Sequence, residues 1–221
     1  MKARRFLSVL DFDHAEIQSI FELTQKIKEE PLRYKTLLNG KALGLIFEKP
    51  STRTWVSFEV GFSTLGGNVI YLGPQDIKLG VREEVRDVAR VLARYLDAVV
   101  IRTFSHRTIV EFSKYFNKTV INGLSDLEHP CQIMADLFTI REIFGDKKVK
   151  IAYVGDGNNV LHSLMLLSAR LGVDMAYATP QNCEPKGFVL KQARLEAKKS
   201  KAKLTSSHSA VQVVRGAVVV I

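Results

Sequence analysis

Cysteine is scarce in this chain: Cys131 and Cys183 are the only two in 221 residues, and no closely spaced Cys or His set accompanies them. Neither a disulfide framework nor a zinc site is therefore read, and a reduced, cytoplasmic compartment is the simplest fit. No stretch approaches the run of about 18 apolar residues that a membrane span needs. The opening residues, Met1 to Phe6, carry charge without an apolar run behind them, so no signal peptide is read there. Internal repeats and low-complexity segments are also lacking. Acidic residues are the minority, 23 against 32 Lys and Arg, for a net charge of +9.

A surplus of that sign favours anionic partners. Much of it, however, gathers in residues 186–203, where Lys186, Lys191, Arg194, Lys198, Lys199, Lys201 and Lys203 are interrupted by one acid, Glu196. The repeated aromatic interleaving that stacks bases does not accompany them, so the run reads as a solvated helix face and its exit, not as a nucleic-acid surface. What the composition does supply is ordinary globular material, 46% hydrophobic and 25% charged. The length is generous for one average domain and short for two, which suits two compact lobes.

Strand-like and helix-like segments alternate along the chain. A helix over 14–29, capped by Asp11 or Asp13, ends before Pro31. Strands follow at Ala42–Phe47, Asn68–Leu72, Ala98–Ile101, 119–121, 149–154 and Asp174–Ala178. Between them lie helices starting at Ser51, over 83–96, 108–116, 130–143 and Asn159–Leu171, and a basic helix running to about 200. Gly145 and Asp146 mark a break. The expected fold is α/β, with two lobes, 1–145 and 146–221, each holding a parallel sheet flanked by helices.

In such sheets ligands collect beyond the carboxyl ends of the strands, and the polar residues lie there. Phe47-Glu48-Lys49-Pro50-Ser51-Thr52-Arg53-Thr54-Trp55 reads as a strand end, a tight turn and a helix start, with Ser51 as N-cap. Trp55, Phe58, Phe62 and Leu65 form one apolar stripe. Free N–H groups, hydroxyls and a guanidinium would converge there as an oxyanion socket; an ordinary capped helix with a surface arginine is the plainer alternative. Arg102 leaves an apolar strand at its carboxyl end. His129 precedes Pro130 at a helix N-cap with Gln132 on the next turn, and a simple capping or solvent histidine fits as well. Gly155-Asp156-Gly157-Asn158-Asn159-Val160 is a poor dinucleotide fingerprint, because Val160 holds the third glycine position. A turn whose amides read a small polar ligand, or plain N-capping by Asn158, accounts for it better.

The strings FEKPSTRT, QDIKLG, DVARVLARY, VIRTFSH, INGLSDLEHPCQIMADL and VGDGNNVLHS, taken in this order, resemble the aspartate/ornithine carbamoyltransferase family, specifically its ornithine branch, from about Phe6 to Ile221. The resemblance implies carbamoyl transfer from carbamoyl phosphate to L-ornithine, giving citrulline and phosphate in arginine biosynthesis. Ser51, Thr52, Arg53 and Thr54 would hold the phosphate. Thr54, Arg102 and His129 would polarise the carbonyl, and Gln132 would meet the carbamoyl amino group. The catalytic set would be Arg53, Thr54, Arg102 and His129. Asn159, helped by Asn158, would bind the amino-acid end of ornithine, so the lobes would serve carbamoyl phosphate and ornithine respectively. The resemblance further implies a homotrimer or a multiple of trimers, in which Lys78 reaches a neighbouring subunit's site, and neither metal nor organic cofactor.

Two departures stand out. Similar proteins usually carry arginine where this chain has Trp55, which is expected to be structural. They also continue beyond Ile221 into an acidic ornithine-binding segment, so the second lobe is expected to be incomplete and its apolar last strand uncovered. The alternatives are a truncated remnant that binds carbamoyl phosphate without turnover, or a related carbamoyltransferase using putrescine or aspartate.

Overall fold

Two parallel sheets, each flanked by helices, make up the computed structural model, which describes residues 5–145 and 147–221. The chain divides into two compact units: one takes the chain up to Leu7 together with Ile17–Asp126, the other takes Ser8–Glu16 and Leu127–Ile221.

In the first unit the elements are β1 (Arg5–Phe6), α1 (His14–Glu29), α2 (Pro31–Tyr34), β2 (Ala42–Phe47), α3 (Thr52–Thr64), β3 (Asn68–Leu72), α4 (Val85–Leu92), β4 (Ala98–Arg102), α5 (His106–Tyr115) and β5 (Thr119–Leu124). The first residues of α1 belong to the other unit. Of the two expected caps for α1, Asp13 is used: its Oδ1 accepts the Glu16 N–H at 2.8 Å while Glu16 Oε2 accepts the Asp13 N–H at 3.0 Å, a capping box.

The strand order is β1-β5-β4-β2-β3, with every pairing parallel. Both faces are covered, which is why β2 and β4 are apolar without alternation. Leu43, Leu45, Phe47 and Val100 pack with Phe58 and Phe62 of α3. On the opposite face Ile46, Val99, Ile101 and Val120 pack with Val85, Val88 and Ala89 of α4 and Ile109, Phe112 and Phe116 of α5. The chain leaves β2 for β3 on one side and returns to β4 on the other, so the carboxyl ends of β2 and β4 flank a topological switch point.

The second unit contains a 3₁₀ turn (Val9–Asp11), α6 (Pro130–Phe144), β6 (Lys150–Val154), α7 (Asn159–Leu171), β7 (Asp174–Ala178), α8 (Gly187–Ser200), β8 (Leu204–Ser207), α9 (Ala210–Val214) and β9 (Val219–Val220). Its sheet runs β8-β7-β6-β9, again parallel throughout. Helix α7 is its centre, with every residue from Leu161 to Ala169 buried. Arg170 at the end of α7 donates from Nη1 to the carbonyls of Leu10 (2.9 Å) and Phe12 (2.6 Å), and from Nε to Glu196 (3.0 Å). Burial alone would push the Glu196 carboxyl up, but hydrogen bonds from Arg170 and Lys199 outweigh it and hold it below the ordinary carboxylate range. The single acid in the basic run is thus a structural anchor, while Lys186, Lys191, Arg194, Lys198, Lys199, Lys201 and Lys203 are all exposed.

The expected lobes, 1–145 and 146–221, part after α6, whereas the compact units place α6, which packs along α7, in the second. Gly145 closes α6 with φ 62°; Asp146, the other half of the expected break, and the charged residues Met1–Arg4 lie outside the described residues.

Candidate functional site

Pro50 keeps the chain extended after β2, and α3 begins at Thr52 with Ser51 in the N-cap position. Ser51 does not cap a backbone group. Its Oγ–H donates instead to Thr54 Oγ1 at 3.0 Å, leaving the first-turn N–H groups of α3 without a side-chain cap. Arg102, at the end of β4, donates from Nη1 to the same Thr54 oxygen at 3.4 Å. With Ser51 and Arg102 both donating to it, the hydrogen-bonding capacity left to Thr54 is its own O–H, a donor. The arrangement therefore presents donors outward, as an anion requires.

The electrostatics agree. Burial, and after it the charge of Arg53, lowers the Arg102 guanidinium from its ordinary value. Arg102 Nε is buried with no hydrogen-bond partner among the described residues. Glu48, whose N–H donates to the Arg102 carbonyl at 2.8 Å, has its carboxylate engaged elsewhere, accepting from the Phe104 N–H at 3.1 Å and from the Thr103 hydroxyl. Two neighbouring cations with no carboxylate paired to either among the described residues favour an anion that joins them.

A local irregularity aims Arg102. Opposite Ile101 and Arg102 the partner register steps from Asn122 to Leu124, so Gly123 is an extra residue in β5. A Cβ on Gly123 would lie 2.9 Å from Val100 Cγ1, so the bulge depends on glycine. The strand expected over 119–121 accordingly continues through Asn122 and Gly123 to Leu124, and Asn122 Nδ2 donates to the Leu7 carbonyl at 2.9 Å.

In the second unit His129 is the N-cap residue of α6, with Pro130 in the first turn, as expected. Its backbone N–H donates to Ser163 Oγ at 3.0 Å, and Ser163 in turn donates to the buried Glu128 carboxylate at 3.1 Å. Gln132 is exposed; its Nε2 donates to Asp136 at 2.8 Å, which leaves its carbonyl oxygen to accept. Asn158 caps α7, its Oδ1 accepting from Val160 N–H (2.9 Å) and Leu161 N–H (3.2 Å), and Asn159 is the first helical residue. The structure thus gathers Ser51, Arg53, Thr54 and Arg102 in the first unit, and carries His129, Gln132, Asn158 and Asn159 on helix starts of the second. Lys78 is exposed in the loop after β3. Glu128 and Ser163 escaped the sequence reading, because a glutamate beside a histidine gives no sign of being buried.

Glu128 also accepts the Val9 N–H at 3.2 Å. Burial, outweighing hydrogen bonds from Ser8, Val9 and Ser163, raises its carboxyl above the ordinary range. A folded-state pKa raised in this way gives stability that is full below the unfolded value and lost as pH rises through the folded one. Glu128→Gln is therefore expected to melt with a flatter pH dependence than the parent from about pH 4 upward, measured by thermal unfolding in a pH series. Parallel curves would contradict the assignment.

Burial pushes the Cys131 thiol up to about 12, so it is not poised as a nucleophile, and neither Cys131 nor Cys183 forms a disulfide. Among the described residues no group of three or more His, Cys, Asp or Glu could hold a metal, and no helix is long and apolar enough to cross a membrane.

Residues 4–142 match the family model described as "Aspartate/ornithine carbamoyltransferase, carbamoyl-P binding domain", and residues 147–221 match "Aspartate/ornithine carbamoyltransferase, Asp/Orn binding domain". An ornithine carbamoyltransferase of Methanoculleus marisnigri is 52% identical over 196 residues, covering 86% of this chain and 62% of that protein. One of Pyrococcus horikoshii is 45% identical over 223 residues, covering all of this chain and 70% of its own. Among solved structures, the ornithine carbamoyltransferase of Pyrococcus furiosus superposes with a TM-score of 0.96 at 44% identity, over 99% of this chain and 71% of that one. The chain thus spans roughly two thirds of the length of these relatives.

Proposed function

The chain belongs to the aspartate/ornithine carbamoyltransferase family, and from that premise we propose that it transfers the carbamoyl group of carbamoyl phosphate to the side-chain amine of L-ornithine, giving L-citrulline and phosphate. The observation that carries this reading is the pairing of Arg53 and Arg102 beside the Ser51 and Thr54 hydroxyls at an uncapped helix start. In the reaction the amine nitrogen bonds to the carbamoyl carbon, the C–O bond to phosphorus breaks, its electron pair leaves on phosphate, and the amine releases a proton. Negative charge grows first on the carbonyl oxygen and then on the departing phosphate, and fixed donors stabilise both.

Within this reading Ser51, Thr52, Arg53 and Thr54 hold the phosphate. Thr54, Arg102 and His129 polarise the carbonyl, and the Gln132 carbonyl oxygen accepts from the carbamoyl amino group. Asn159 takes the amino-acid end of ornithine, while Asn158, with its amide oxygen used in the cap, acts chiefly by fixing that turn. Residues 1–145 serve carbamoyl phosphate and 146–221 the amino acid. The step belongs to arginine biosynthesis, and the absence of a disulfide between Cys131 and Cys183 suits a cytoplasmic setting.

Homotrimer formation, with Lys78 completing a neighbour's phosphate site, is part of the same proposal. Val56 and Val60, exposed on α3, support burial of this helix face against another copy. Light scattering at micromolar concentration is expected to give a trimer or a multiple of it; a monomer would overturn this element.

The test of the acceptor is a product assay with carbamoyl phosphate and, in separate reactions, ornithine, putrescine and aspartate. Citrulline from ornithine is expected to exceed the other two products clearly. A larger yield from putrescine or aspartate would reassign the substrate. Saturable carbamoyl phosphate binding with no product from any acceptor would overturn turnover by this chain.

A further inference from the structure

Trp55 follows directly on the socket residues, yet it does not join the helix's core contacts. Phe58 and Phe62 of the same stripe pack against β2 and β4, whereas Trp55 stays 38% exposed. Its indole stacks instead on Tyr71, with centroids 4.7 Å apart and planes at 28°, and its Nε1–H donates to the Glu59 carboxylate one turn along.

Tyr71 in turn meets Phe47 edge-on, at 5.7 Å and 65°. Phe47 is the buried last residue of β2, from which the socket turn departs. The chain beyond Tyr71 also passes tightly against its ring. A Cβ on Gly73 would sit 2.8 Å from Tyr71 Cε1, and Gly73 opens the loop that carries Lys78, donating its N–H to Asp76 at 2.8 Å and accepting from Ile77 N–H at 3.2 Å. The Tyr71 ring therefore meets the last residue of β2, the residue that follows the socket, and the first residue of the next loop.

We propose that Trp55 is a positioning residue: its stack on Tyr71, which in turn meets Phe47, clamps the first turn of α3, and with it Arg53 and Thr54, to the end of the sheet and the Gly73–Gly80 loop. Trp55 lies outside the core cluster that Phe58 and Phe62 join, so its contact bears on the placement of the turn as well as on the folding of the unit. Stacked aromatic pairs are worth a modest, geometry-dependent coupling, of the size that changes an affinity without unfolding a domain. The inference rests on the reading of Ser51–Thr54 as the carbamoyl phosphate socket.

Trp55 is the only tryptophan in the chain, so its emission reports this turn alone. Wild-type protein would be titrated with carbamoyl phosphate, and separately with inorganic phosphate, by fluorescence and by calorimetry. Trp55→Phe, Trp55→Ala and Trp55→Arg would be titrated by calorimetry, each below its own melting temperature. A saturable change of wild-type emission is expected. Trp55→Phe keeps a stacking ring and is expected to bind within about threefold of wild type, while Trp55→Ala binds about tenfold more weakly. Trp55→Arg, which adds a cation but loses the stack, is expected to bind no tighter than wild type. A merely structural tryptophan would lower the melting temperature of Trp55→Ala and leave the affinity of the folded protein unmoved, and that result would overturn the proposal. So would a large gain in affinity in Trp55→Arg. If wild-type protein binds neither ligand, the socket reading itself falls, and this inference with it.

Discussion

Replacing Arg53 with alanine is expected to weaken carbamoyl phosphate binding by on the order of a hundredfold or more. A guanidinium on a phosphate makes at least two charge-assisted hydrogen bonds, each worth about 1.5–3 kcal/mol, and every 1.4 kcal/mol or so is a factor of ten. Arg53 is exposed, so its removal leaves no buried partner stranded, and the loss of binding should come with little loss of stability. Arg53→Lys keeps the charge but not the planar fork and is expected to recover only part of the affinity. Calorimetric titration of both variants checks this; an Arg53→Ala affinity within a few fold of the parent would contradict it.

The largest expected effect on stability belongs to Gly157→Ala. A Cβ there would lie 2.3 Å from Glu184 C, 2.3 Å from Pro185 N and 2.5 Å from Glu184 O. These are all backbone atoms, which cannot rotate aside as a side chain could. The same contact is drawn close by the Gly157 N–H, which donates to the Cys183 carbonyl at 2.7 Å. Overpacking of this kind costs about 3 kcal/mol or more, which in a chain of this size lowers the melting temperature by roughly 6–12 °C. Gly187→Ala is the control, because a Cβ at Gly187 meets nothing within 4 Å, and it should be neutral or slightly stabilising. Equal melting temperatures for the two variants would show that the 182–186 segment gives way, contrary to this account. The effect also reaches the site, since Asn158 and Asn159 follow on the same turn.

Where a feature depended on neighbours in sequence, the sequence revealed it. Pro50 and Ser51 marked the start of α3, the Phe58 and Phe62 spacing marked its core side, and the expected bounds of β2, β3, α7 and β7 are those observed. Features that depended on distant partners were not legible. Ser51 was read as a cap, but its hydroxyl goes to Thr54, an oxygen that also accepts from Arg102 of the distant β4. Asn122 and Gly123 have turn-forming identities, and only Val100 and Leu7 across the sheet explain why β5 keeps them. Trp55 belonged to a helical stripe by spacing, yet its partner is Tyr71 on β3. The 3₁₀ turn at Val9–Asp11 joins the second unit through Arg170 and Glu128, both far away in the chain. β1, α2, β8 and α9 are too short for any periodicity to register.

The central claim is that Ser51–Thr54 and Arg102 form a socket for carbamoyl phosphate. It is tested most directly by calorimetric titration of carbamoyl phosphate into the 221-residue chain, with inorganic phosphate as competitor and Arg102→Gln alongside. The account predicts saturable binding to wild-type protein that phosphate competes away and that Arg102→Gln largely loses while remaining folded. Absence of saturable binding to folded wild-type protein, or undiminished binding to Arg102→Gln, would contradict it.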